Sequence, residues 1–198
     1  MEINIENAHS VLKKYLEGTN QKKYEHSIRV AKISQMLAQK WGASAPDAVI
    51  AALLHDIGKS MSKQQMLSLC VRNNITIYDF ELWENVTALH GRISSLLFEE
   101  EFKGNDSKRI KAISHAISSH VAGDEKMNLL DKIIFIADNL DLKEESKDLL
   151  EQIQSGQVNN PEDCIKRIIR QKIQKSQKKG WQHNPLLDAT LDDVDYER

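Results

Sequence analysis

A histidine and an aspartate, His55 and Asp56, stand side by side after the apolar stretch 51–54, and Lys59 follows three residues later. An apolar helix that ends in such polar groups must give them partners, because an unpaired buried polar group is costly. A metal ion is one such partner, since imidazole and carboxylate are ligands for iron, manganese and zinc. The pair alone does not establish a metal site, because a capping aspartate beside a hydrogen-bonded histidine gives the same pattern.

Two more histidines fall on the apolar faces of other predicted helices. His26 shares a helical face with apolar residues that recur from Val30 to Trp41, so its side chain is predicted to point inward. His120 lies on the apolar stripe that begins at Ile113. Each is a potential metal ligand, although a single histidine on an apolar face is more often an ordinary core residue with a hydrogen-bond partner.

An aspartate and a fourth histidine complete the set. Asp138 follows the apolar run 133–137, where an uncompensated carboxylate is expensive to bury and therefore favours a nearby cation. His90 ends another predicted helix, and Gly91 after it would let the backbone turn sharply. Six such residues together are hard to explain as separate core residues. They predict a metal site formed by His26, His55, Asp56, His90, His120 and Asp138.

The order of these residues along the chain resembles the HD phosphohydrolase superfamily, in its form with two extra histidines and a dinuclear metal centre. Four stretches are similar, more closely, to the HD-type diadenosine tetraphosphate hydrolases, which are symmetrical dinucleoside tetraphosphatases. They are Lys23-Tyr24-Glu25-His26-Ser27-Ile28-Arg29-Val30, residues 51–59, Leu89-His90-Gly91 and residues 116–138. The resemblance covers roughly residues 20–140.

This resemblance implies a helical bundle around two divalent metal ions, often iron, with manganese or zinc as alternatives. It implies symmetrical cleavage of a dinucleoside polyphosphate substrate, such as diadenosine tetraphosphate (Ap4A), into two nucleoside diphosphates. By position, one ion would be held by His26, His55, Asp56 and Asp138, and the other by Asp56, His90 and His120. Asp56 would bridge the two ions.

The expected chemistry agrees with these roles. Two cations about 3.5–4 Å apart can activate a water molecule and clamp the phosphoryl oxygens of an in-line displacement. Lys59 is predicted to face the substrate phosphates, where it would add positive charge as the phosphate becomes more negative. Arg29, near the expected mouth of the site, is a candidate phosphate contact, and His120 is a candidate for both metal and substrate. A nucleophilic serine or cysteine is not required.

The chain departs from the family pattern at two places. Lysine stands at Lys23, where the family leads us to expect arginine, and the segment 139–143 replaces the usual Ile-Glu-Pro stretch and its arginine. Lys143 is a point charge and cannot reproduce the bidentate contact of a guanidinium group. Nucleotide recognition is therefore expected to differ more than the metal centre.

Two alternatives to dinucleoside polyphosphate hydrolysis remain. One is an HD phosphohydrolase that acts on mononucleotides or guanosine polyphosphates with the same metals. The other is a non-catalytic HD module that binds a nucleotide as a sensor or scaffold. Loss of metal ligands is the expected mark of that module, and all six are present here.

The sequence predicts an all-α fold, because it has only 8 glycines and 3 prolines and its apolar residues recur at three- and four-residue spacings. We expect one HD domain over residues 1–198, with a core at 20–140, a helical extension at 144–180 and a solvated or loosely docked acidic tail at 188–198. The last predicted helix carries a basic face expected to be solvated. The predicted helices are 20–41, 47–56, 62–72, 81–90, 93–102, 107–120, 128–140, 144–153 and 161–180.

Charge and cysteine content bear on whether the protein binds nucleic acid, uses its cysteines or spans a membrane. The chain has 198 residues and a formal net charge of -2, so no global basic field marks it as a nucleic-acid binder. Cys70 and Cys164 match no metal or redox spacing, and no apolar run is long enough to cross a membrane. We therefore expect a cytoplasmic protein with free thiols that binds neither nucleic acid nor membrane. A homodimer is compatible with the sequence.

Overall fold

The computed structural model describes residues 1–83, 85–141, 144–181 and 184–196, and within these ranges it contains helices and connecting turns but no strand. Lys143 therefore lies outside the described residues. The helices are α1 (Ile5–Leu16), α2 (Gln21–Trp41), α3 (Ala45–Leu54), α4 (Lys63–Arg72), α5 (Asp79–Trp83), α6 (His90–Glu101), α7 (Ser107–Ser119), α8 (Leu129–Leu140), α9 (Glu144–Ser155), α10 (Pro161–Lys179) and α11 (Pro185–Tyr196). The all-α fold class predicted from the sequence is confirmed.

Helix α3 lies at the centre of the bundle. Its residues from Ala48 to Leu54 are all buried, as expected of a helix that is apolar on every side. Helices α1, α2, α7 and α8 pack around it. Ser44 caps its start, where its side chain accepts a hydrogen bond from the Asp47 amide. The helix ends at Leu54, so His55 and Asp56 leave its carboxyl end inside the bundle.

Helix α2 runs as the sequence predicts, from Asn20 at its N-cap to Trp41. Gly42 ends it in a left-handed conformation with φ of 81°, which glycine adopts without steric cost. The helix packs against α3 and α8. It therefore places His26, in its second turn, beside α3, which ends just before His55 and Asp56, and beside α8, which carries Asp138.

The predicted helix 81–90 is wrong. Helix α5 ends at Trp83, Glu84 lies outside the described residues, and a 3-10 turn at Val86–Leu89 leads into α6. Asn85 adopts a non-helical backbone conformation with φ of -144° and ψ of 60°, and asparagine is a poor residue for a helix interior because its side chain competes for backbone hydrogen bonds. As a result His90 begins a helix instead of ending one.

Helix α1 was not predicted, although the sequence carries a signal for it. Apolar residues recur at Ala8, Val11, Leu12 and Leu16, and all four are buried against the bundle. Asn4 caps the helix by accepting a hydrogen bond of 2.8 Å from the Asn7 amide. The helix packs on α3 and so closes one side of the central helix.

The end of the chain is more firmly packed than predicted. The acidic tail forms α11, whose acidic residues Asp188 and Asp192 are exposed while Leu187, Thr190 and Val194 are buried. The tail is therefore solvated on one face only. None of the helices in the described ranges has the length and apolar character needed to span a bilayer.

The basic face of α10 is only partly solvated. Lys166 is buried and pairs with Asp195 of α11 at 2.7 Å. Lys172 donates a hydrogen bond of 2.8 Å to the Val121 carbonyl and lies over the ring of Phe135. Two of the basic residues therefore tie α10 to neighbouring parts of the bundle, while residues such as Arg170 remain exposed.

Helix α11 also packs against the loop that follows α7. The Thr190 hydroxyl donates a hydrogen bond of 3.2 Å to the Ala122 carbonyl. Gly123, with φ of 83°, approaches so closely that a Cβ atom there would lie 2.5 Å from Thr190 Cγ2. Because Thr190 is fully buried, it has no room to move aside.

Replacing Gly123 by alanine is therefore expected to destabilise the protein more than the same change at Gly42, whose φ is 81°. Both changes force alanine into the left-handed region at about 1–2 kcal/mol. Only at Gly123 does the new methyl group overlap another part of the chain, which adds about 1–3 kcal/mol. Urea denaturation of both variants measures the difference. Equal losses would show that α11 does not hold this loop.

Candidate metal centre

All six residues predicted as ligands converge on one region inside the bundle. They come from five parts of the chain, and each lies near a helix end or on an inward helical face. The set comprises His26 of α2, His55 and Asp56 after α3, His90 at the start of α6, His120 after α7, and Asp138 of α8.

One half of this cluster consists of His26, His55 and Asp138. The Nε2 atoms of the two histidines lie 3.3 Å apart. Asp138 Oδ1 lies 3.0 Å from His26 Nε2 and 3.5 Å from His55 Nε2. Two ring nitrogens and a carboxylate oxygen at such distances form a group of three that could hold a metal ion.

The other half consists of His90 and His120, with Asp56 between the two halves. The Nε2 atoms of His90 and His120 lie 3.0 Å apart. Asp56 Oδ1 lies 3.2 Å from His90 Nε2 and 3.7 Å from His120 Nε2. On the other side, Asp56 lies 3.5 Å from His55 Nε2 and 3.6 Å from His26 Nε2. The Asp56 carboxylate thus lies between the two halves, and with His55 and His120 it forms a second group of three that could hold a metal ion.

Backbone carbonyls set the orientation of three of the four histidine rings. The Nδ1 atoms of His55, His90 and His120 lie 2.6–2.7 Å from the carbonyl oxygen three residues earlier in each case. Carbonyls at helix ends have no partner within the helix, so they can accept a hydrogen bond from a side chain. When Nδ1 carries the proton, Nε2 is left as the metal-binding atom, and it faces the cluster in each case.

His26 is oriented by a carboxylate instead. Its Nδ1 atom lies 2.7 Å from Asp141 Oδ2. Arg29 pairs with both oxygens of that carboxylate, at 2.9 Å and 3.0 Å. Sequence reasoning did not single out Asp141, although an acidic residue three positions after Asp138 was a usable signal. Arg29 is placed against Asp141, and its predicted contact with phosphate stays a prediction.

Two lysines lie at the open edge of the cluster. Lys59 Nζ is 2.7 Å from Asp56 Oδ1, and Lys23 Nζ is 3.4 Å from Asp56 Oδ2. Asp56 itself is fully buried, whereas the two lysine side chains are 26% and 36% exposed. They therefore place positive charge between the buried carboxylate and the solvent.

The acidic residues are held in the ionised form that binds metal. Burial opposes the ionisation of Asp56, but the neighbouring histidines outweigh it and hold the pKa of its carboxyl well below the ordinary value. The same balance lowers the pKa of Asp138. Oδ1 of Asp56 is buried without a well-aligned hydrogen bond, and its charged partner is the Lys59 ammonium group at 2.7 Å.

Two of the histidines, His90 and His120, are held in the neutral form that binds metal. Burial lowers the pKa of His120 to about 4 and lowers the pKa of His90 as well. His55 differs, because burial lowers its pKa but the charges of Asp56 and Asp138 outweigh burial and raise it. Metal binding at Nε2 of His55 therefore competes with protonation of that ring.

Comparison with known proteins identifies this arrangement. A protein-family model described as the HD domain matches residues 24–143, which contain all six residues of the cluster. The chain belongs to the HD domain family. The resemblance inferred from the sequence is thereby confirmed, and HD domains are metal-dependent, in agreement with the converging histidines and aspartates.

Two curated relatives of this HD domain carry the same name, "bis(5'-nucleosyl)-tetraphosphatase, symmetrical". The protein from Staphylococcus aureus is 29% identical over 143 residues, which cover 70% of this chain and 67% of the relative. The protein from Halalkalibacterium halodurans is 32% identical over 119 residues, which cover 60% of each chain. The matched stretches thus span about three fifths to two thirds of these relatives.

A solved structure shares the whole HD fold. It is described as a predicted HD superfamily hydrolase involved in NAD metabolism from Clostridium acetobutylicum. It aligns with a TM-score of 0.84 and covers 100% of both chains at 21% identity. At that identity the likeness establishes the fold of the chain.

Two glycines let the helices of the HD cluster approach each other. Gly91 was expected to turn the backbone, but it lies within α6, and a Cβ atom there would be 2.9 Å from the Ser118 carbonyl oxygen. Gly58, two residues after Asp56, is closer still, with its Cβ position 2.6 Å from the His90 carbonyl oxygen. Close packing of α6 therefore brings His90 to Asp56.

Replacing Gly58 by alanine is expected to separate the turn after Asp56 from the start of α6. The contact is with backbone, which cannot rotate away as a side chain can, so the unfolding free energy should fall by about 1–3 kcal/mol. Urea denaturation gives the loss, and elemental analysis of the same sample gives the metal content. Stability and metal content equal to the wild type would contradict the proposed packing.

Proposed function

We propose that the chain is a metal-dependent phosphohydrolase that binds two divalent ions in the cluster and cleaves a dinucleoside tetraphosphate, most favourably Ap4A, into two nucleoside diphosphates. One observation carries the proposal: Asp56 lies between a group of His26, His55 and Asp138 and a pair of His90 and His120. Two groups of ligands that share one carboxylate fit two ions with a bridge.

The ligand types do not select one metal. Imidazole and carboxylate suit several divalent ions, and availability decides between them. Iron is the metal we propose, from the family resemblance, with manganese or zinc as alternatives. A homodimer also stays a prediction.

The residues of the chain have distinct roles toward the substrate. When bound, two divalent ions would supply Lewis acidity toward the phosphoryl oxygens and activate water. Asp56 orients the two halves of the cluster. The ammonium group of Lys59, at the edge of the cluster, would bind a phosphate oxygen as negative charge grows on the departing nucleoside diphosphate, and Lys23 lies on the same edge.

The substrate proposal rests on the relatives named as symmetrical tetraphosphatases. The cluster alone would also suit a mononucleotide or a guanosine polyphosphate, because each contains a phosphoanhydride or phosphoester bond. A non-catalytic nucleotide-binding module is the weaker alternative, since all six ligand residues are present and converge.

A nucleotide panel separates these functions. Metal-loaded protein is incubated with Ap4A, nucleoside triphosphates and guanosine polyphosphates, and the products are separated by chromatography. We expect Ap4A to give ADP as its one nucleotide product. The appearance of ATP and AMP would contradict symmetrical cleavage. A protein that holds two metal ions but cleaves none of the compounds would contradict the enzyme.

Asp56→Ala is expected to release metal and abolish activity, because the shared carboxylate is lost from both halves. Bound metal stabilises only the folded state, so chelation should lower the melting temperature of the wild type and have little effect on the variant. Asp47→Ala is the matched control, since Asp47 also belongs to the α3 region but pairs with Arg109 outside the cluster. Retention of two metals and turnover by Asp56→Ala would refute the bridge.

Lys59→Ala is expected to leave the metal content unchanged and to lower kcat/KM about 10- to 1000-fold, equivalent to about 1.4–4 kcal/mol. The physical reason is the loss of a positive charge beside the reacting phosphate. Lys63→Ala, on the exposed start of α4, controls for the loss of one lysine charge nearby. Wild-type kinetics for Lys59→Ala would remove Lys59 from the mechanism.

A further inference from the structure

His26 is held differently from the other three histidines of the cluster. It lies inside α2, where backbone carbonyls are already used by the hydrogen bonds of the helix itself. The Nδ1 atom of His26 does not use a carbonyl of its own helix. The partner of Nδ1 is instead Asp141, at the end of α8, with 2.7 Å between Nδ1 and Oδ2.

Asp141 is itself held in place by Arg29. The guanidinium group binds Asp141 in a bidentate manner, with Nε 2.9 Å from Oδ1 and Nη2 3.0 Å from Oδ2. Because Arg29 is three residues after His26, both side chains leave the same face of α2. Paired charged groups of this geometry fix orientation as well as contribute energy. The Asp141 side chain is only 5% exposed, so water offers it little alternative.

We propose that Asp141, held by Arg29, is a positioning residue that keeps the His26 ring with Nε2 toward the cluster. The inference rests on the proposed metal centre and deepens it. The half formed by His26, His55 and Asp138 then depends on Asp141. The half that contains His90 and His120 depends on backbone carbonyls and does not.

A carboxylate partner also changes the chemistry of the ring. It raises the basicity of the metal-binding nitrogen more than a neutral carbonyl does, and removal of such partners typically costs about 10- to 100-fold in metal affinity. The two halves should therefore respond differently to the loss of Asp141. A contact that merely tied α2 to α8 would instead change stability without favouring one half.

The experiment is a titration of metal-free protein with Mn²⁺, in which unbound Mn²⁺ is followed by its paramagnetic resonance signal. The wild type is expected to bind two ions. Asp141→Ala should weaken one ion about 10- to 100-fold and leave the other unchanged. Asp141→Asn keeps an acceptor oxygen without the charge and should lose less, and Asp141→Glu should restore part of the affinity.

Asp124→Asn is the matched control. Asp124 is half-exposed and lies 3.4 Å from Nε2 of His115, so it forms a carboxylate–histidine contact outside the cluster. We expect this variant to bind both ions as the wild type does. Melting of the metal-free proteins shows whether Asp141→Asn is folded, and this variant preserves the size of the side chain.

The outcomes separate the positioning role from the proposed function. A wild type that binds fewer than two ions overturns the dinuclear centre and the positioning role with it. A wild type that binds two ions with unchanged affinity in Asp141→Ala overturns the positioning role alone. Equal weakening of both ions, with a lower melting temperature of the metal-free variants, shows a merely structural contact and also overturns it.

Discussion

The carboxylate of Asp56 lies buried at the centre of the ligand cluster. It has no exposure to solvent, and four imidazole rings and two ammonium groups surround it. An ion of this kind is tolerated in a protein interior only when charges and hydrogen bonds compensate it. Each surrounding histidine comes from a different helix or its end, namely α2, α3, α6 and α7. The site is therefore assembled only when these helices pack together.

The ends of helices supply most of this assembly. His55, His90 and His120 lie where helices end or begin, and backbone carbonyls three residues earlier orient their rings. Side chains in such places need few additional polar partners from elsewhere in the chain. His26 lies within a helix, and the partner of its Nδ1 atom is Asp141, a residue from a distant part of the sequence.

The all-α fold and the six residues of the cluster could be predicted from the sequence. The cluster ligands were recognisable because they lie on apolar helical faces or at the ends of predicted helices, and Asn20 and Gly42 marked the bounds of α2 correctly. Tertiary contacts were not recognisable. Asn85 interrupts a helix that periodicity favours, and the buried face of α11 is short and hidden among acidic residues. The spacing from Asp138 marks Asp141 as a candidate residue, but its pairing with His26 spans 115 residues of sequence, and that partner cannot be identified from the spacing.

The position of α3 has a consequence for the lengths of the segments that connect the helices. An α-helix turns about 100° per residue, so one inserted residue within α3 would rotate the pair His55 and Asp56 away from the cluster and move apolar side chains out of register with four neighbouring helices. The neighbouring helices could not shift to accommodate the inserted residue, because the residues of α3 from Ala48 to Leu54 are all buried. The length of α3 and the rotation of its side chains about the helix axis are therefore fixed by its packing. Insertions and deletions are expected to accumulate in the surface connections, such as the one between α4 and α6, and to spare α3.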